Sequence, residues 1–227
     1  MNGLALEDVV VGYDGNAEPV LGISHLHFPP GINIVTGGNG TGKSTLLRAL
    51  TSWYPGISCT GRLELDGLPL RRRRIGLVTQ RPADSLVGSL SFISNLLLAT
   101  STGWEFLSPA LAQTRARKER LLAVLEDLGV ASMTTSLLDK SAAELSGGQQ
   151  QLLAIGMRLL REPRLLLLDE CTANLDNENT SLVMAAIARI AESGCVVLFA
   201  THDANLSKSL PTNNFEVRNA TVINSSH

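Results

Sequence analysis

Gly37-Gly38-Asn39-Gly40-Thr41-Gly42-Lys43-Ser44-Thr45 is the stretch that decides the reading of this chain. It fits G-x-x-x-x-G-K-[ST], a phosphate-binding loop. Ile32-Asn33-Ile34-Val35-Thr36 ahead of it reads as a short buried strand, and residues 44–50 behind it as a helix. Strand, glycine loop and helix in that order are the setting such a loop needs. The glycines let backbone N–H groups converge on phosphate oxygens, and the helix N-terminus adds partial positive charge. Lys43 is expected at the β and γ phosphates, and the Ser44 hydroxyl at Mg²⁺. A glycine-rich turn ahead of a helix is the bland alternative, and the flanking elements weigh against it.

Outward from the loop, residues 4–11 read as a strand, and Pro29-Pro30-Gly31 break the chain before 32–36. Leu63-Glu64-Leu65 alternates like a half-buried strand, Asp66-Gly67 supplies a turn, and 75–78 is a further strand. From about 86 to 162 helical signals dominate. Leu121, Val124, Leu125 and Leu128 share one helical face, with Gly129 placed to end it. A helix is expected over 149–161, stopping at Pro163. The apolar run 165–168 has the mark of a central parallel strand. Residues 178–192 read as helix and 195–200 as another buried strand. Segments 215–217 and 221–223 read as a hairpin turning at Asn219. Helices alternating with buried strands imply an α/β core with a parallel sheet, and the helix-rich middle reads as an inserted subdomain.

The chain has 227 residues, 44% hydrophobic and 18% charged, with a net charge of −2. That balance gives no reason to expect nucleic acid as a partner. Cys59, Cys171 and Cys195 are odd in number and widely spaced, which argues for a reducing compartment. The start lacks the basic and apolar regions of a signal peptide, and no apolar run reaches about 18 residues. Work at a membrane would therefore need a partner.

Leu165-Leu166-Leu167-Leu168-Asp169-Glu170 is a buried strand ending in two carboxylates. Asp169 is placed to reach Mg²⁺ beside the phosphates, and Glu170 to polarise an attacking water. Leu145-Ser146-Gly147-Gly148-Gln149 opens a helix, so it is either a second anion site or a plain serine cap.

LSGGQ followed shortly by LLLLDE, about a hundred residues after a phosphate-binding loop, resembles the ATP-binding subunit of ABC (ATP-binding cassette) transporters. The resemblance covers nearly the whole chain, as a single domain over 1–227. It implies a P-loop NTPase core with an antiparallel β-region near the N-terminus and an α-helical subdomain near 86–160. By resemblance Tyr13 stacks on adenine, and Gly37, Gly38, Asn39, Gly40, Thr41, Gly42, Lys43, Ser44 and Thr45 hold the phosphates. Gln80 lies near Mg²⁺ and the coupling surface, with Ser44 and Asp169 as the other metal-side groups. Glu170 is the catalytic carboxylate and His202 senses the γ-phosphate. Ser146, Gly147, Gly148, Gln149 and Asp176 serve the nucleotide of a second copy, so that two chains close head to tail around two MgATP.

The family usually has Pro where this chain has Cys171, and a small residue where it has Asn174. Both departures bear on the turn between Glu170 and Asp176. A redox role for Cys171 is disfavoured, because neighbouring carboxylates discourage the thiolate. Arg71-Arg72-Arg73-Arg74 reads as a solvated turn rather than a lipid or nucleic-acid contact. An exposed apolar patch is expected near Leu86, Val87 and Phe92, where the family docks its membrane subunit. The partners implied are integral-membrane permease subunits, a second ATPase subunit and an extracytoplasmic substrate-binding protein. That places the chain peripherally on the cytoplasmic face of the cell membrane. The stretch 90–175 is similar to subunits of bacterial amino-acid-type importers. A soluble ABC-type ATPase driving assembly or repair is the alternative from another class.

Overall fold

The computed structural model describes residues 2–16, 18–51, 54–101, 119, 121–123, 125–126, 135–172, 175–202 and 212–224. Val124, Leu128 and Gly129 of the expected helical face lie outside them, as does Asn174; Leu121 and Leu125 of that face are buried. Two compact units are present. The first comprises Met1–Leu77, Pro163–Glu170 and Ala191–His227, and the second Val78–Glu162 and Cys171–Ile190.

The first unit carries two sheets. Strands β1 (Leu4–Tyr13), β2 (Leu21–Phe28), β4 (Ile57–Leu65) and β5 (Leu68–Pro69) form an antiparallel sheet in the order β2-β1-β4-β5. The second sheet takes β3 (Gly31–Thr36), β6 (Ile75–Val78), β7 (Leu165–Asp169), β8 (Val196–Ala200), β9 (Thr212–Arg218) and β10 (Thr221–Asn224). Its order is β10-β9-β3-β8-β7-β6, with β3, β7, β8 and β9 parallel and the β9–β10 hairpin antiparallel. Every residue of β7 and β8 is buried, which is why both read as unbroken apolar runs. Leu4, Leu6, Val11, Phe28, Leu46, Leu50, Leu167 and Phe215 belong to one apolar core. The Phe28 and Phe215 rings pack tilted, 4.5 Å between centroids.

Register positions the chemistry. Val35 of β3 and Asp169 of β7 both pair with Ala200 of β8. The three strands therefore end level with one another. Just past those ends stand the glycine loop after β3, Glu170 after β7, and Thr201-His202 after β8. Residues that leave the carboxyl ends of adjacent parallel strands converge on one crevice.

Several boundaries differ from the sequence reading. Strand β1 runs on to Tyr13, and β4 begins at Ile57 rather than near 63. Strand β2 has no counterpart in that reading. It buries Leu21, Ile23, Leu26 and Phe28, so its alternation breaks between 23 and 26 and hides the period-2 signal. The hairpin turn falls on Asn219 and Ala220, both at positive φ.

In the second unit, α2 (Phe92–Thr100) and α3 (Gly147–Leu159) pack together; a Cβ added at Gly156 would lie 3.4 Å from Leu96 Cδ2. Helix α3 starts and ends two residues earlier than expected. Ser146 caps it, and Glu162 at φ 48° turns the chain out of it before Pro163. The expected apolar patch is corrected at Phe92, which is only 1% exposed as the first residue of α2. Ser91 caps that helix, and its Phe92-Ile93-Ser94-Asn95-Leu96-Leu97 run is buried throughout, so Phe92 is core. Val87 stays 42% exposed and Leu86 is half-buried. The Val87 backbone is fixed by Asn95, whose Oδ1 accepts from Val87 N at 2.9 Å and whose Nδ2 donates to Val87 O at 3.1 Å. Helix α4 (Asn177–Glu192) follows, with Asp176 just ahead of it. Among the described residues no helix is long and apolar enough to cross a membrane.

Candidate functional site

The glycine loop needs its glycines. Gly37, Gly40 and Gly42 sit at φ 148°, 77° and 107°. A Cβ on Gly37 would also lie 2.7 Å from Val217 O and 2.9 Å from Thr41 Oγ1, leaving no room for a side chain. Gly38, Asn39 and Gly40 are exposed at the crest. Thr41 Oγ1 donates to Gly38 O at 2.9 Å and braces the loop from within. Lys43 is 6% exposed, and its Nζ donates to Gly37 O at 2.8 Å and Gly38 O at 2.9 Å. The ammonium is thus held on the loop's own carbonyls.

Helix α1 (Lys43–Leu50) begins at Gly42 with no side-chain cap and no acidic residue in its first turn. Its first N–H groups are the unsatisfied donors every helix start presents, aimed with the positive end of the helix dipole. On the same helix Ser44 Oγ donates to Asp169 Oδ1 at 2.8 Å, joining loop and β7 across 125 residues. Arg48, one turn further on the same face, brings Nη2 to 3.9 Å from Asp169 Oδ2 and lies over the Tyr54 ring at 5.1 Å. Asp169 is 2% exposed. Burial raises its carboxyl above the ordinary value and the Glu170 charge adds to this, against the Ser44 hydroxyl, Arg48 and Lys43.

Glu170 comes next, in the left-handed region at φ 48°, a conformation that costs a non-glycine residue about 1–2 kcal/mol. Its N–H donates to Ala200 O at 3.0 Å, and its Oε1 lies 3.2 Å from His202 Nδ1. The tight turn after β7 therefore meets the residue two places after β8. Tyr13, at the end of β1, is 43% exposed, and its hydroxyl shares a 3.1 Å hydrogen bond with Thr45 Oγ1. Tyr13, the loop from Gly37 to Thr45, Asp169, Glu170 and His202 all fall in the first unit.

The remaining expected residues belong to the second unit. Gln80 is exposed just after β6. Ser146 and Gln149 form a capping box: Ser146 Oγ accepts from Gln149 N at 3.3 Å, and Gln149 Oε1 accepts from Ser146 N at 3.0 Å. Ser146 and Gly147 are exposed, and Gly148 is half-buried. Asp176 caps α4, with Oδ1 accepting from Asn179 N and Oδ2 from Asn179 Nδ2, both at 2.7 Å. Cys171 is wholly buried, in keeping with an unreactive thiol. Arg72–Arg74 form a 3₁₀ turn, and Arg71, Arg73 and Arg74 face solvent.

Two residues at these sites escaped the sequence reading. Arg48 was findable, since it lies one helical turn from Ser44 and so on the same face. Asn179, three residues after Asp176, was findable as a capping position.

A glycine loop at an uncapped helix start, beside a strand ending in a buried aspartate and a glutamate, defines a nucleotide triphosphatase of the phosphate-binding-loop class. The family profile described as ABC transporter matches residues 24–173, and the chain belongs to that family. It is an ATP-binding subunit and an ATPase. Among similar proteins is an energy-coupling factor transporter ATP-binding protein of Halalkalibacterium halodurans, 31% identical over 89% of this chain and 71% of the relative. A phosphonates import ATP-binding protein of a Nostoc species is 35% identical over 83% and 78%. A solved subunit from Clostridium perfringens, part of an ABC transporter complex, superposes with a TM-score of 0.74 over 98% of this chain and 88% of the other. At 24% identity that last likeness is one of fold.

Proposed function

We propose that two copies of this chain close head to tail around two MgATP and, by hydrolysing them, drive cargo inward through separate membrane subunits. The observation that carries the reading is the Ser44–Asp169 hydrogen bond with Glu170 and His202 beside it. It gathers the phosphate loop, a buried carboxylate and a candidate base at the ends of adjacent parallel strands. Tyr13 takes the adenine, and Gly37 through Thr45 take the phosphates, with Lys43 exchanging loop carbonyls for phosphate oxygens. Glu170 orients and accepts a proton from the attacking water, and His202 holds Glu170 in register with the γ-phosphate.

Ser44 and Asp169 fit Mg²⁺, because a hydroxyl and a buried carboxylate 2.8 Å apart are hard oxygen donors of the type that ion selects. Gln80 keeps the third place implied by the family. Bound there, the ion would neutralise charge on the transferred phosphoryl group.

The exposed helix start at Ser146-Gly147-Gly148-Gln149 is assigned to the second copy's nucleotide, and Asp176 to the interface between copies. The helical subdomain is read at about 86–160, within the unit that comprises Val78–Glu162 and Cys171–Ile190. Import is favoured by the relatives, one of which is named for phosphonate import. Neither relative's name supports an amino-acid cargo. An extracytoplasmic binding protein belongs to the same import reading, as does a peripheral position on the cytoplasmic face.

Docking on a membrane subunit is assigned to the exposed Val87 and the half-buried Leu86, what remains of the expected patch. Single cysteines at 86 and 87, in a chain with Cys59 replaced by serine, are to be crosslinked in membranes holding the full complex. A crosslink to a membrane subunit is expected. Crosslinks to none, with the variants still hydrolysing ATP, would favour the soluble ATPase.

A further inference from the structure

The first turn of α1 carries two neighbouring hydroxyls, and the fold sends them to different sheets. Ser44 Oγ donates to Asp169 Oδ1 at the end of β7. Thr45, the next residue, is 6% exposed, and its Oγ1 shares a 3.1 Å hydrogen bond with the hydroxyl of Tyr13 at the end of β1. Consecutive residues on a helix point about 100° apart, which lets one turn reach both. Neither hydroxyl is spent on the helix start, which has no side-chain cap. Among the described residues Tyr13 is the one hydrogen-bond partner of the Thr45 hydroxyl.

The backbone of Tyr13 is fixed without that bond. Tyr13 pairs with Ile57 of β4, its carbonyl accepts from Asn16 N at 3.1 Å, and Asp14 N beside it donates to Gly56 O at 3.1 Å. The freedom that remains is in the side-chain torsions, and the residue, 43% exposed, is too open for packing alone to settle them. The bond to Thr45 holds the far end of the ring and settles them. It need not break when a phosphate arrives. A hydroxyl has one proton to donate and two lone pairs to accept with, so Thr45 can accept from Tyr13 and still donate to a phosphate oxygen.

We infer that Thr45 is a positioning residue for Tyr13, and that their shared hydrogen bond holds the ring at a fixed reach from the phosphate loop. The inference rests on the proposed reading that Tyr13 takes the adenine and Gly37 through Thr45 the phosphates. A ring left free must be immobilised at the moment of binding, which weakens affinity. A tied ring has given up that freedom beforehand. The ligand favoured is a nucleotide whose base and phosphate chain engage together. A ligand of phosphates alone brings no base to the ring and gains nothing from the tie.

The test is Tyr13→Phe, which keeps the ring and removes the hydroxyl, beside Tyr13→Ala, which removes both. The chain is titrated to equilibrium with ATP and, separately, with inorganic tripolyphosphate, both without Mg²⁺ so that nothing is hydrolysed. Tyr13→Phe should lower ATP affinity by about fivefold, the loss expected when one more side chain must be immobilised on binding. Tripolyphosphate affinity should stay within about twofold. In a chain carrying Thr45→Val, adding Tyr13→Phe should cost no further ATP affinity, since the bond is already gone. ATP affinity unchanged by Tyr13→Phe would overturn the inference. So would an equal loss for tripolyphosphate, or losses that add across the two positions. If Tyr13→Ala weakens ATP binding and Tyr13→Phe does not, only this inference fails. If neither weakens it, the adenine reading beneath it fails as well.

Discussion

Two helix starts in this molecule carry glycine-rich signals, and they are finished in opposite ways. Helix α1 begins at Gly42 with no side-chain cap, and the glycine loop ahead of it is braced by Lys43 and Thr41 on its own carbonyls. Helix α3 begins at Ser146 with both halves of a capping box made. The first start leaves its N–H donors open, while at the second Ser146 Oγ takes the Gln149 N–H. A phosphate arriving at α1 gains bonds outright, whereas one that takes the Gln149 N–H at α3 must displace a bond already present. The α1 end is therefore expected to supply most of the affinity for ATP, and the α3 end the condition on closure.

The largest expected effect is at α1. Lys43→Ala removes a buried ammonium whose hydrogen bonds to a charged group are each worth about 1.5–3 kcal/mol. ATP affinity should fall by about tenfold to a hundredfold, and hydrolysis should be lost; equilibrium binding and phosphate release check both. Turnover like that of the unaltered chain would break the comparison at its stronger half. The effect at α3 is smaller and of a different kind. Ser146→Ala should destabilise the resting chain by about 1 kcal/mol through loss of the cap. It should leave the affinity of the isolated chain for ATP unchanged. Calorimetric melting and binding titration separate the two, and a large loss of ATP affinity would show that α3 serves the same chain's nucleotide.

The smallest expected effect lies at the opposite ends of the parallel strands, and it sharpens the contrast between bonding for a ligand and bonding for the fold. Asp66, in the turn between β4 and β5, accepts from Arg164 Nη2 at 2.8 Å and from Gly3 N at 3.1 Å. Burial alone would raise its carboxyl; the Arg164 hydrogen bond, the Gly3 N–H and the charges of Arg164 and Arg74 together hold it below the ordinary value. A carboxyl lowered in the folded state binds fewer protons there than when unfolded. Its stabilising contribution is present above the unfolded value, near 4, and is lost as pH falls through the folded value. Asn tolerates the positive φ of position 66. Asp66→Asn should therefore flatten the acid side of the stability curve and leave ATP hydrolysis alone. An unchanged acid slope in denaturant titrations would remove Asp66 from that role.

Legibility in the sequence was a matter of range. The glycine loop, the capped α3 start and the β7 run are each written in a few neighbouring residues, and each lies within two residues of where the pattern put it. The Ser44–Asp169 and Asp66–Arg164 pairs join residues 125 and 98 positions apart, and only the fold brings them together. Phe92 misled because an apolar residue after a glycine-bearing loop reads the same whether it faces a partner or a neighbouring helix. Strand β2 was missed because a shift in its burial phase cancels the alternation that marks a strand.

The central claim is that each ATP is held by the α1 end of one copy and the α3 end of another. Glu170→Gln tests it most directly. Glutamine preserves the shape beside His202 but cannot accept the water's proton, so the γ-phosphate persists and with it the bonds that close the pair. Sedimentation of this variant with and without MgATP should show a monomer turning into a dimer, and adding Ser146→Ala should weaken that dimer. A Glu170→Gln chain that binds ATP to saturation and remains monomeric would contradict the account.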